Sequence, residues 1–109
     1  MNNRLESLIE FLKAEPNDSF LKYAIATEYL KLENHSQALK YYLEVMNSDP
    51  EYVGNYYHLA KLYEMMREKE NAAQIYEKGI LMASKLKNEH ALSELKSAYL
   101  IMNDPYADD

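Results

Sequence analysis

The sequence repeats itself with a period of 34 residues, and no other feature narrows the fold as much. Shifted by that lag, Pro16 falls on Pro50, Tyr23 on Tyr57, Ile25 on Leu59, Ala26 on Ala60, Tyr29 on Tyr63, Ala38 on Ala72 and Tyr42 on Tyr76. The same lag sets Leu5 on Leu39, Leu8 on Tyr42, Phe11 on Val45 and Leu12 on Met46. All eleven pairs match in residue class, and every one is at an apolar, small or proline position. A chain built this way stacks one supersecondary unit on the next instead of closing a single irregular core.

Within each period the apolar spacing is helical. Phe20, Tyr23, Ile25, Ala26, Tyr29, Leu30 and Leu32 recur at threes and fours, as do Ala38, Leu39, Tyr42, Leu43, Val45 and Met46. With only 2 glycines and 3 prolines the chain lacks the turns that a sandwich or barrel requires. Polar clusters at 33–35, 47–50 and 67–71 separate the segments. Pro16 and Pro50 push the residue before them out of helical geometry, and Asn17 or Asp18 is placed to cap the helix that follows Pro16. The spacing predicts helices near 4–14, 18–32, 36–47, 51–66, 69–87 and 89–102.

A 34-residue helix–turn–helix unit with the pattern W-x2-L-G-x2-Y…A-x3-F…P is the tetratricopeptide repeat, and the chain resembles it twice. Ile25, Ala26 and Tyr29, then Ala38, Tyr42 and Pro50, match the first unit; Tyr56, Leu59, Ala60 and Tyr63, then Ala72 and Tyr76, match the second. Lys22 stands where the first unit should carry a large aromatic, Glu33 and Arg67 replace the turn glycine, and Ala83-Ser84 replaces Asp-Pro, so the last helix of the second unit should run on through Lys85. The resemblance implies an all-α fold, a right-handed superhelical array of antiparallel helix pairs with six helices. As a single domain over 1–102 it would comprise a half unit at 4–16, repeats at about 19–52 and 53–86, and a cap helix at 89–102. Residues 103–109, NDPYADD, would form a flexible acidic tail. Leu92, Leu95 and Tyr99 repeat the first-helix spacing, but Lys96 takes the small-residue place, as suits a helix that ends an array.

The composition excludes several classes of function. Without cysteine there is no disulfide framework and no thiol nucleophile. Eighteen acidic against twelve basic residues give a net charge of −6, which offers no bulk attraction to nucleic acid or to an anionic membrane. No apolar run approaches the roughly 18 residues that span a bilayer, and Glu6 and Glu10 interrupt the N-terminal segment, so the expectation is a cytoplasmic protein. His90 and Glu94 sit one turn apart and read as an exposed pair, not as half of a metal site. No catalytic motif, no phosphate-binding glycine loop and no cofactor or metal site stands out, so no enzyme activity and no cofactor are expected.

What remains is binding. Proteins of the family that this chain resembles mostly act as scaffolds that hold a peptide or a partner in a concave groove lined by the first helix of each unit. The groove positions here are Phe20, Tyr23, Thr27 and Lys31 in the first unit and Tyr57, Lys61, Glu64 and Met65 in the second. Tyrosine brings large contact area with few rotors to freeze, and methionine an adaptable apolar contact. The Lys and Asn pair with which one subclass grips a chaperone's C-terminal carboxylate is absent, since Tyr23, Thr27 and His58 hold those places. The expected function is therefore a non-catalytic adaptor for a protein or peptide. The alternative is a homodimeric structural unit, which buries either the groove or the stripe Leu5, Leu8, Ile9 and Leu12 of the first helix.

Overall fold

A computed structural model describes residues 3–106 of the 109. Among the described residues there are six helices and no strands: α1 (Asn3–Ala14), α2 (Ser19–Lys31), α3 (His35–Ser48), α4 (Gly54–Met65), α5 (Lys69–Lys85) and α6 (Glu89–Asn103). Residues 107–109 of the expected acidic tail lie outside the described residues, and α6 takes in Asn103.

Local chemistry fixes the helix starts. The carboxylate of Asp18 accepts the Leu21 N–H at 2.9 Å, the amide oxygen of Asn34 accepts Gln37 N–H at 3.2 Å, and that of Asn88 accepts Ala91 N–H at 3.0 Å. Each satisfies one of the donors that a helix N-terminus leaves open. Helix α4 begins at Gly54, three residues later than the spacing predicts, because Tyr52 N–H bonds back to the Asp49 carbonyl at 3.0 Å and closes a turn first.

The ends of α2, α4 and α5 share one device. Glu33, Arg67 and Lys87 take φ of 59°, 60° and 58°, in the left-handed region. Asn34 N–H then reaches the Tyr29 carbonyl, Glu68 N–H the Tyr63 carbonyl and Asn88 N–H the Ala83 carbonyl, at 2.9–3.0 Å. That pairing satisfies carbonyls at the helix end, although glycine is the residue that adopts the conformation without strain. The third instance explains the length of α5. No proline stops it where Pro50 follows α3, so it runs to Lys85 as expected.

The chain divides into two compact units, 1–55 and 56–109. In the first, Leu5 and Leu8 of α1 join Ala24 and Ile25 of α2 in a buried cluster, with Ile9, Leu12, Leu21, Tyr29 and Tyr41 packed against it. Of the α1 stripe Leu5, Leu8, Ile9 and Leu12, the first two are thus buried within their own unit, and Ile9 and Leu12 are partly buried against α2. Arg4 Nε reinforces the α1–α2 contact by pairing with Glu28 Oε2 at 3.1 Å. Lys22, in the place of the large aromatic, is buried to 9% exposure and holds its ammonium 4.0 Å from Glu44. Its methylene stem covers apolar surface while the charge keeps a partner. Asn55 is fully buried, and its amide donates to the Tyr42 carbonyl at 2.9 Å.

In the second unit Tyr56, Leu59, Ala60, Ala72, Ile75, Tyr76, Ala83 and Leu95 are buried. Gly79 marks a close approach of helices. A Cβ built on it would lie 2.7 Å from Tyr56 Cβ and 3.1 Å from Leu95 Cδ1, so α5 has no room for a side chain where it meets α4 and α6. The four repeat alanines, at 26, 38, 60 and 72, are fully buried, as the close approach of paired helices demands.

Candidate functional site

Each unit presents the first-helix residues to which the sequence points, and each can be described by itself. On α2, Phe20 is 54% exposed. One turn on, the Tyr23 ring meets Tyr42 edge-on at 6.0 Å and tilts against Tyr52 at 5.5 Å and 44°. Thr27 is engaged inside the unit. Its hydroxyl donates to the Tyr23 carbonyl at 3.1 Å and shares a hydrogen bond of 3.0 Å with the hydroxyl of fully buried Tyr42. Burial pushes the Tyr42 phenol above its ordinary pKa, against the lowering effect of the Thr27 bond. Lys31 pairs with Glu28 Oε2 at 3.1 Å, the same oxygen that Arg4 holds. The charge of Lys31 is thus partly neutralised within the unit.

On α4 three of the four expected residues, Tyr57, Lys61 and Glu64, form a connected set. The Lys61 ammonium lies 6.0 Å from the Tyr57 ring centroid and 3.8 Å from Glu64 Oε2. The Tyr76 hydroxyl of α5 donates to the same Glu64 oxygen in a short hydrogen bond. Burial and this carboxylate together drive the Tyr76 phenol far upward, so it stays protonated and acts as a donor. Met65 ends the row, 55% exposed. His58 sets its ring edge-on to Tyr57 at 5.4 Å, and burial lowers its pKa while Glu94 opposes that effect.

Two participants were not legible beforehand. Tyr52 lies in the turn before α4, outside the repeat motif, yet its ring completes the aromatic surface of α2. The only sign in the sequence was an aromatic next to the Asp49-Pro50 break. Tyr76 stood out only as a motif position of the second unit, and its hold on Glu64 has no counterpart at Leu30, one period earlier.

Among the described residues no three His, Cys, Asp or Glu side chains are placed to hold a metal, and no helix is long and apolar enough to cross a membrane. The arrangement offers aromatic and thioether surface with cations and carboxylates held at its edge, which is the chemistry of a contact surface.

Helix pairs of this length, small residues at the crossings and aligned aromatics define a helical-repeat protein, and the tetratricopeptide repeat profile matches residues 21–52 and 53–86. The chain belongs to the tetratricopeptide repeat family, whose fold generally mediates protein–protein interaction. A crystal structure of a tetratricopeptide repeat domain protein from Salinibacter ruber is 44% identical, with a TM-score of 0.74, covering 78% of this chain and 94% of that one. A solution NMR structure of such a domain protein from the same organism is 40% identical, with a TM-score of 0.78, over 86% and 97% of the two chains. A Bordetella parapertussis protein solved in solution shares the fold at 20% identity, with a TM-score of 0.80 over 94% and 89%. No curated protein matches the sequence.

Proposed function

We propose that this protein is a non-catalytic adaptor that takes a peptide or a partner helix against the exposed faces of its first helices. The contact residues are Phe20, Tyr23 and Lys31 on α2 and Tyr57, Lys61 and Met65 on α4, with Thr27 and Glu64 holding their neighbours in place. One observation carries the reading. Phe20 and Met65 remain more than half exposed, on the same helices as Tyr23 and Tyr57, whose rings other residues of their own units already contact. A rigid aromatic beside adaptable apolar surface loses little entropy on binding, which is why such residues dominate contact energetics.

The test is affinity capture from native lysate with the wild-type chain and a Tyr57→Ala/Lys61→Glu variant that keeps the wild-type thermal midpoint. Light scattering on each free protein gives its mass. A partner held by wild type and lost by the folded variant supports the adaptor. Identical captures, or a dimeric mass without a partner, turn the assignment to another face or to self-assembly.

A further inference from the structure

The first unit holds a feature that the adaptor reading does not use. Asp18 stands at the start of α2 and Asp49 at the end of α3, and the Ser19 hydroxyl ties them into one place by donating to Asp49 Oδ2 at 2.6 Å. Tyr52 lies close to both carboxylates. Burial first, then the negative charges of Asp18 and Asp49, push its phenol above the ordinary value. Among the described residues neither aspartate has an ion pair with a lysine, arginine or histidine. The contrast with Glu28 is direct, since that carboxylate has two cations. The α2 N-terminus and the α3 C-terminus meet here with opposite dipoles, so the carboxylates set the sign of the local field. Exposed Glu51 adds a third negative charge close by in the chain.

The aromatic half of the feature adjoins the acidic half. The Tyr52 and Tyr23 rings are 5.5 Å apart, and Phe20, three residues before Tyr23 on the same helix face, is exposed. A ring face attracts a cation through its quadrupole, and a carboxylate at the rim supplies the charge-assisted bond. Guanidinium suits both, because it stacks flat and donates in plane.

We propose that the Phe20–Tyr23–Tyr52 surface, edged by Asp18 and Asp49, seats a cationic side chain, arginine above all, of the partner's peptide. The proposal rests on the adaptor reading and gives its ligand a chemistry. A net charge of −6 adds long-range attraction for a cationic segment.

The probe is the tripeptide acetyl-Ala-Arg-Ala-amide, titrated into the isotope-labelled full chain and followed by NMR, with the neutral citrulline tripeptide as its counterpart. The expected result is saturable shifts at Phe20, Tyr23 and Tyr52 with arginine and none with citrulline. Asp18→Asn/Asp49→Asn should weaken arginine binding about tenfold, since two surface charge contacts, one exposed and one half-buried, together approach that ratio. Asparagine still caps α2 and still accepts from Ser19, so the variant should keep its thermal midpoint. Equal shifts with both peptides, shifts confined to other residues, no shifts at all, or unchanged affinity in the double variant would each overturn the proposal. The adaptor reading is judged separately, because its capture variant changes only residues of the second unit.

Discussion

Arg67 holds a backbone conformation that costs an L side chain roughly 1–2 kcal/mol and costs glycine nothing. Its side chain is exposed and takes part in no ion pair among the described residues. Arg67→Gly should therefore stabilise the protein by about 1 kcal/mol, net of the extra freedom that glycine gives the unfolded chain. For a chain of this size that is a rise of roughly 4–8 °C in thermal midpoint. A midpoint unchanged or lowered on calorimetry would mean that the Arg67 side chain does something at this turn beyond closing it. The sequence marked Glu33 and Arg67 as departures from a glycine position but could not give their cost. That follows only from φ, and from the carbonyls of Tyr29 and Tyr63 that the turn satisfies.

At the scale of an element, Gly79 shows propensity and packing in opposition. Alanine is favoured over glycine by about 1 kcal/mol inside a helix. Here the added methyl would meet Tyr56 Cβ at 2.7 Å, an atom fixed to the backbone of α4 that no rotamer can move away. Gly79→Ala should lower stability by about 1–3 kcal/mol, as overpacking does, and denaturant unfolding should show a lower midpoint. A gain would mean that α4 and α5 can separate without loss. The helices themselves were plain in the apolar period. The start of α4 was not. It depends on one backbone bond, Tyr52 to Asp49, that leaves no trace in periodicity. The α1 stripe of Leu5, Leu8, Ile9 and Leu12 was legible as apolar, but its partner was not, because a stripe looks the same whether a second copy or its own α2 covers it.

For the whole molecule, the period named the family and the positions of the first-helix residues, since both follow from one alignment of the chain on itself. It did not show which of those residues are engaged within their own unit. Thr27 serves Tyr42, Lys31 serves Glu28 and Glu64 serves Tyr76, and each partner lies on another turn or another helix. Phe20 and Met65 are left exposed, and on them rests the claim that the first helices are the contact surface. The most direct test places the photo-crosslinking residue benzoylphenylalanine at Met65 on α4 or at Leu81 on α5, two positions that are 55% and 73% exposed. Each labelled protein is irradiated in native lysate and its adducts are identified. The account predicts one adduct from position 65 that position 81 does not form. An adduct from position 81 alone would contradict it and move the contact surface to the second helices.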